Sequence, residues 1–207
     1  MTIRIYRELC RSFYDREKGK RTVRRILTGQ IFLILCCIFY LIWWYRGYRP
    51  GAAADRAGGI NGILLLITAA FGVAGISFSL MHIAAVKEPE ISPTAIVVAG
   101  IVSYFGLLLI TRCLFHRIVT TELILIVIWT TLEVTVINRL NAAGALSDKG
   151  FVIMCFVIAA AFLISMVLYA AYYRMEEMKA FYAAMVPLVT EAVSMGVLAG
   201  MLLTANG

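Results

Sequence analysis

The segment RIVTTELILIVIWTTLEVTVINRL, residues 117–140, decides the fold. It is apolar for long enough to cross a bilayer, a task that takes about 20 residues. Yet it carries two acids, Glu122 and Glu133. Their spacing of eleven residues (133 − 122) closes three helical turns with roughly 20° of drift. Both carboxyls therefore share one helix face, about 16 Å apart along the axis, and Trp129 falls on the same face. A charged side chain turned toward lipid at mid-span costs about 2.5–3.5 kcal/mol on insertion scales. The acidic face is expected to look inward, at other helices or at water. The same reading places each acid about one and a half turns from a helix end.

Composition agrees with a membrane setting. Hydrophobic residues make up 62% of the 207 and charged residues 15%, against roughly 25% charged in soluble domains. Mean hydropathy is +0.89. The formal charge of +7 is concentrated at one end, since nine of the nineteen Lys and Arg precede residue 26. A basic cluster next to a first apolar span points to anionic lipid headgroups rather than to nucleic acid. The five cysteines include no CxxC pair, and three lie in apolar runs, so they read as small buried hydrophobes.

The pattern predicts an all-α, polytopic membrane protein. Residues 1–25 form a basic segment, and residues 26–207 a domain of six transmembrane helices. Within the first segment, residues 2–15 (TIRIYRELCRSFYD) place Ile3, Tyr6, Leu9 and Phe13 on one side and Arg4, Arg7 and Arg11 on the other. This is the pattern of a helix in the headgroup plane. Residues 16–25 read as a solvated connector. The spans are expected at 26–45, 60–86, 94–111, 117–140, 151–173 and 180–203. Trp43, Trp44 and Tyr45 close the first as an aromatic belt. Thr68, Gly72, Gly75, Ser79 and His82 form a stripe on the second that lets another backbone come close. Ser92 and Pro93 start the third as N-cap and first-turn proline. The fifth, almost without polar residues, is expected to be the most lipid-exposed. The sixth holds Pro187, a kink, and Glu191 near its midpoint. Gly196 and Gly200, in GVLAG, mark a packing face toward the bundle or toward another subunit.

The basic start argues for a cytoplasmic N-terminus, and an even number of spans returns the C-terminus to that side. The internal loops weigh the other way, with three Lys or Arg on the cytoplasmic side and seven outside.

Three acids inside apolar spans, Glu122, Glu133 and Glu191, are read as a polar intramembrane pathway, with Trp129 and His82 as further members. A proton- or cation-linked transporter or channel follows from them. The alternative is a non-catalytic membrane subunit or scaffold, a possible homo-oligomer or partner of another membrane chain. No HExxH, GxSxG or intramembrane Ser–His pattern is present, so no enzyme is expected. Cys113 and His116, three residues apart, have no third partner for nucleophilic work. No metal site and no cofactor are implied.

Overall fold

A computed structural model describes residues 2–50, 59–80, 88–115, 120–172 and 174–206. Among these residues every regular element is a helix: α1 (Thr2–Tyr48), α2 (Gly59–Leu80), α3 (Pro93–Phe115), α4 (Thr120–Ala142), α5 (Asp148–Tyr172), α6 (Glu177–Ala183) and α7 (Val186–Asn206). Six stretches are long and apolar enough to cross a membrane. They are Val23–Tyr48, Gly59–Leu80, Pro93–Leu114, Leu123–Ala142, Asp148–Tyr172 and Glu177–Thr204. This is consistent with an integral multi-pass membrane protein.

Three expectations change. The connector predicted at residues 16–25 is helical, because α1 runs unbroken from Thr2. That stretch has no proline and is rich in Lys, Arg and Glu, which sustain a helix; Gly19 alone costs about 1 kcal/mol. The sixth span is two helices, α6 and α7, separated at Ala184 and Met185. The most exposed span is α3, of which 11% is buried, and not α5, of which 28% is buried. A helix's exposure follows from its neighbours. α5 packs on both α4 and α7, while α3 packs on α4 at the edge of the bundle.

α4 is the central helix, with 56% of its span buried. It touches α3, α5 and α7, while α1 lies between α2 and α7. Leu33 and Cys37 of α1, Leu132 and Val136 of α4, Met154 of α5, and Met195 and Leu198 of α7 meet in one core. The end of α4 acts as a hub. Asn138 accepts from the Ile91 amide at 3.3 Å and donates to the Ile91 carbonyl at 2.7 Å, fixing the approach to α3. Arg139 donates to the Leu80 carbonyl at 2.6 Å, a cation that ties the end of α4 to α2. Asn141 donates to Asp148 at 3.0 Å across the turn into α5.

α1 and α2 pack antiparallel with their backbones nearly in contact. A methyl on Gly29 would sit 2.8 Å from the Ser79 amide nitrogen, and one on Gly75 would sit 3.0 Å from that of Leu33. Gly72 faces the Cys36 sulfur, and buried Gln30 reaches Ser79 Oγ at 3.5 Å. Without a strong hydrophobic force between helices in lipid, such close approach is what holds them. Gly196 and Gly200 differ: both are exposed, and a Cβ on either meets nothing within 4 Å. The GVLAG face is therefore not packed within the described bundle.

Gly75→Ala is expected to destabilise the purified protein by about 1–3 kcal/mol through overpacking. Gly196→Ala is expected to leave stability unchanged or slightly raised. Thermal unfolding of the two variants in the same detergent checks the contrast.

Candidate intramembrane acid site

Burial of α4 against α7 brings two of the sequence-predicted acids together. Glu133 and Glu191 are each 2% exposed. Glu133 has ten residues of its span before it and nine after (133 − 123 and 142 − 133). Glu191 has fourteen before and thirteen after (191 − 177 and 204 − 191). Both stand at the middle of their spans. For Glu133 this corrects the expectation of a position near a helix end, because α4 continues to Ala142.

Ser194 lies three residues beyond Glu191, on the same face of α7. Its hydroxyl donates to Glu133 Oε2 at 2.5 Å and so joins the two helices. Glu133 Oε1 and both oxygens of Glu191 have no hydrogen-bond partner among the described residues. Nor does a Lys or Arg pair with either acid among those residues. The two carboxyls lie within electrostatic reach of each other, and Cys37 of α1, fully buried, lies within reach of both. Trp129, one turn before Glu133, is 7% exposed and its indole N–H is also unpartnered.

The sixth span breaks between α6 and α7, ahead of Glu191. The amides of Ala184 and Met185 bond back to the Ala180 and Tyr182 carbonyls at 3.0 and 3.1 Å, closing α6. Pro187 is the second residue of α7, a first-turn position where its missing N–H goes unneeded. Thr190 donates to the Pro187 carbonyl at 2.8 Å and meets Ser165 of α5 at 3.1 Å. A helix that would have kinked at Pro187 instead stops and restarts just before it.

The sequence-predicted residues thus separate into groups. Glu133, Glu191 and Trp129 belong to the buried centre. Gly72, Gly75 and Ser79 belong to the α1–α2 seam. Glu122 falls in the first turn of α4, and its side chain lies outside the described residues, as do His82 and His116. Cys113 is exposed. Two members of the centre, Ser194 and Cys37, are not among the residues the sequence predicts. Ser194 had a signal, a hydroxyl at i+3 from a mid-span acid. Cys37 had none, since its place depends on how α1 docks. Among the described residues no group of three or more His, Cys, Asp or Glu could hold a metal ion.

Comparison with known proteins finds no matching family model, curated protein or solved structure.

Ser194→Ala removes the only hydrogen bond recorded for Glu133 among the described residues. A loss of about 1 kcal/mol is expected, the scale of a buried bond between transmembrane helices. Ser194→Thr, which keeps a hydroxyl, should recover most of it. Denaturant unfolding of the detergent-solubilised protein measures both.

Proposed function

We propose that this chain is a small integral membrane transporter or channel-like protein, with Glu133 and Glu191 as a proton- or cation-linked station midway across. One observation carries the reading. Two carboxyls from different helices occupy the buried middle of the bundle, three of their four oxygens unpartnered among the described residues. A bundle that needed only a polar tie there would be served by Ser194 and one partner. A second acid with both oxygens unpartnered is costly in a dry core. Such cost is characteristic of groups that bind and release something. A carboxyl pair without a cation takes up a proton or a small cation at lowest cost.

A second reading has its own support. The exposed Gly196 and Gly200 leave α7 with a flat, small-residue face, which suits a non-catalytic subunit docking on a copy of itself or on another membrane chain. In both readings the basic start of α1 contacts anionic headgroups, with the two chain ends on the cytoplasmic side.

Reconstitution into liposomes loaded with a pH-sensitive dye tests the first reading. Glu191→Gln, nearly isosteric, is expected to lower proton-linked flux by at least about tenfold while the protein folds normally. Flux equal to that of the unaltered protein would remove the proton role. For the second reading, Gly196→Cys should form a disulfide-linked dimer or heterodimer in native membranes; a protein that stays monomeric counts against it.

A further inference from the structure

α3 closes on the bundle along only half of its length. Beyond Ser103, its residues Tyr104, Leu107 and Leu108 pack against Leu123 and Ile126 of α4 and Tyr169 of α5. Before that point one side of α3 is small. Ala95, Ala99 and Ser103, at successive intervals of four, lie one above the next. Gly100 draws this half onto α4, where a Cβ would lie 2.6 Å from Thr131 Oγ1. Toward α5 a gap remains. A cavity of about 440 Å³ lies there, walled by the small side of α3, by Val127, Thr130 and Val134 of α4, and by Phe162 of α5. Ala95, Ala99 and Ser103 are exposed, so the cavity is a trough open sideways, continuous with the outer surface of α3.

Its depth matches one leaflet. Ile91, held by Asn138, stands at one end, two residues before the α3 span begins. Ser103 and Phe162 stand at the other. Ser103 is ten residues (103 − 93) into a span of 22, about 15 Å along the axis and near its middle. Half of a hydrocarbon core of about 30 Å is also about 15 Å. The lining is apolar apart from three hydroxyls, and no charged residue contributes to it among the described residues. Thr130 and Thr131 donate to the Ile126 and Val127 carbonyls of their own helix at 2.8 and 2.7 Å. A charged group drawn into the trough would lose water and find no counter-ion. A transmembrane helix, 10–12 Å across, would need roughly 900 Å³ over the 12 Å from Ala95 to Ser103, about twice the space present.

We propose that the trough is a fixed seat for one acyl chain of a bilayer lipid, drawn from the leaflet at the start of α3. The headgroup stays outside, at Ile91, and the end of the chain rests on Phe162. The lining selects for the chain and not for the headgroup. The seat is separate from the acid pair and stands under either functional reading.

Photolabelling tests it. Phosphatidylcholine with a diazirine on the last carbon of one chain is mixed into vesicles that hold the full-length protein. Illumination should mark Ser103 or Phe162. Ala99→Phe, which fills the trough, should lose that mark, while Val102→Phe, on the exposed outer side of α3, should keep it. Ser103→Phe blocks the inner end from another position and should move the mark back to Ala95 or Ala99; it decides the question where Ala99→Phe does not fold. Phosphatidylglycerol with the same chain should mark the same residues. Marks spread over Val98 and Val102 with none on Phe162 would show ordinary boundary lipid and overturn the seat. So would a mark that survives both phenylalanine variants, or one seen with a single headgroup. Disulfide-linked dimers of Ala99→Cys, in a background without the native cysteines, would overturn it too, by showing a second copy over the trough.

Discussion

Hydrocarbon does not solvate a carboxyl group, and this constraint arranges the bundle. Glu133 sits at the middle of α4, and that helix is consequently the one most enclosed by the others. α7 brings Glu191 to the same depth and Ser194 to bridge the two. α5 closes one flank and α1 the other, placing Cys37 beside the acids. α2 and α3 stay peripheral, 17% and 11% buried. The order of burial does not follow the degree of apolarity. α5 is the most apolar span, yet it is not the most exposed.

The second organising contact is steric. α1 and α2 meet where Gly29 and Gly75 remove side chains from both surfaces, so backbone lies against backbone. Close packing of this kind depends on having nothing in the way, and a single added methyl suffices to spoil it. The polar ties at the end of α4 play a complementary part. Asn138, Arg139 and Asn141 connect one helix end to three neighbouring segments through backbone and carboxyl acceptors. Together they hold α4 at a fixed depth, and with it the acid at its middle.

Much of this was legible in the sequence. Span number, the inward face of α4 and the close-packing stripe at Gly72, Gly75 and Ser79 follow from hydropathy and from helical periodicity. Other features were not legible because they depend on which helix meets which. Gly29 has no stripe around it and matters only because Gly75 and Ser79 lie opposite. Cys37 looked like any buried thiol. The relative exposure of α3 and α5 cannot be read from their own residues, both being almost wholly apolar. The sequence predicts a kink at Pro187 where the helix in fact breaks, since proline forbids one bond without dictating whether the helix bends or ends.

α4 and α7 meet through Glu133 and Ser194 at the middle of both spans. Paired cysteine substitution tests it most directly, in a background with the native cysteines replaced. Glu133→Cys combined with Ser194→Cys should cross-link in native membranes with a lipid-soluble oxidant, while Glu133→Cys combined with Val193→Cys, on the exposed face of α7, should not. Cross-linking through position 193 and none through 194, or ready labelling of Glu133→Cys by a maleimide dissolved in the lipid, would show that the acid faces the acyl chains.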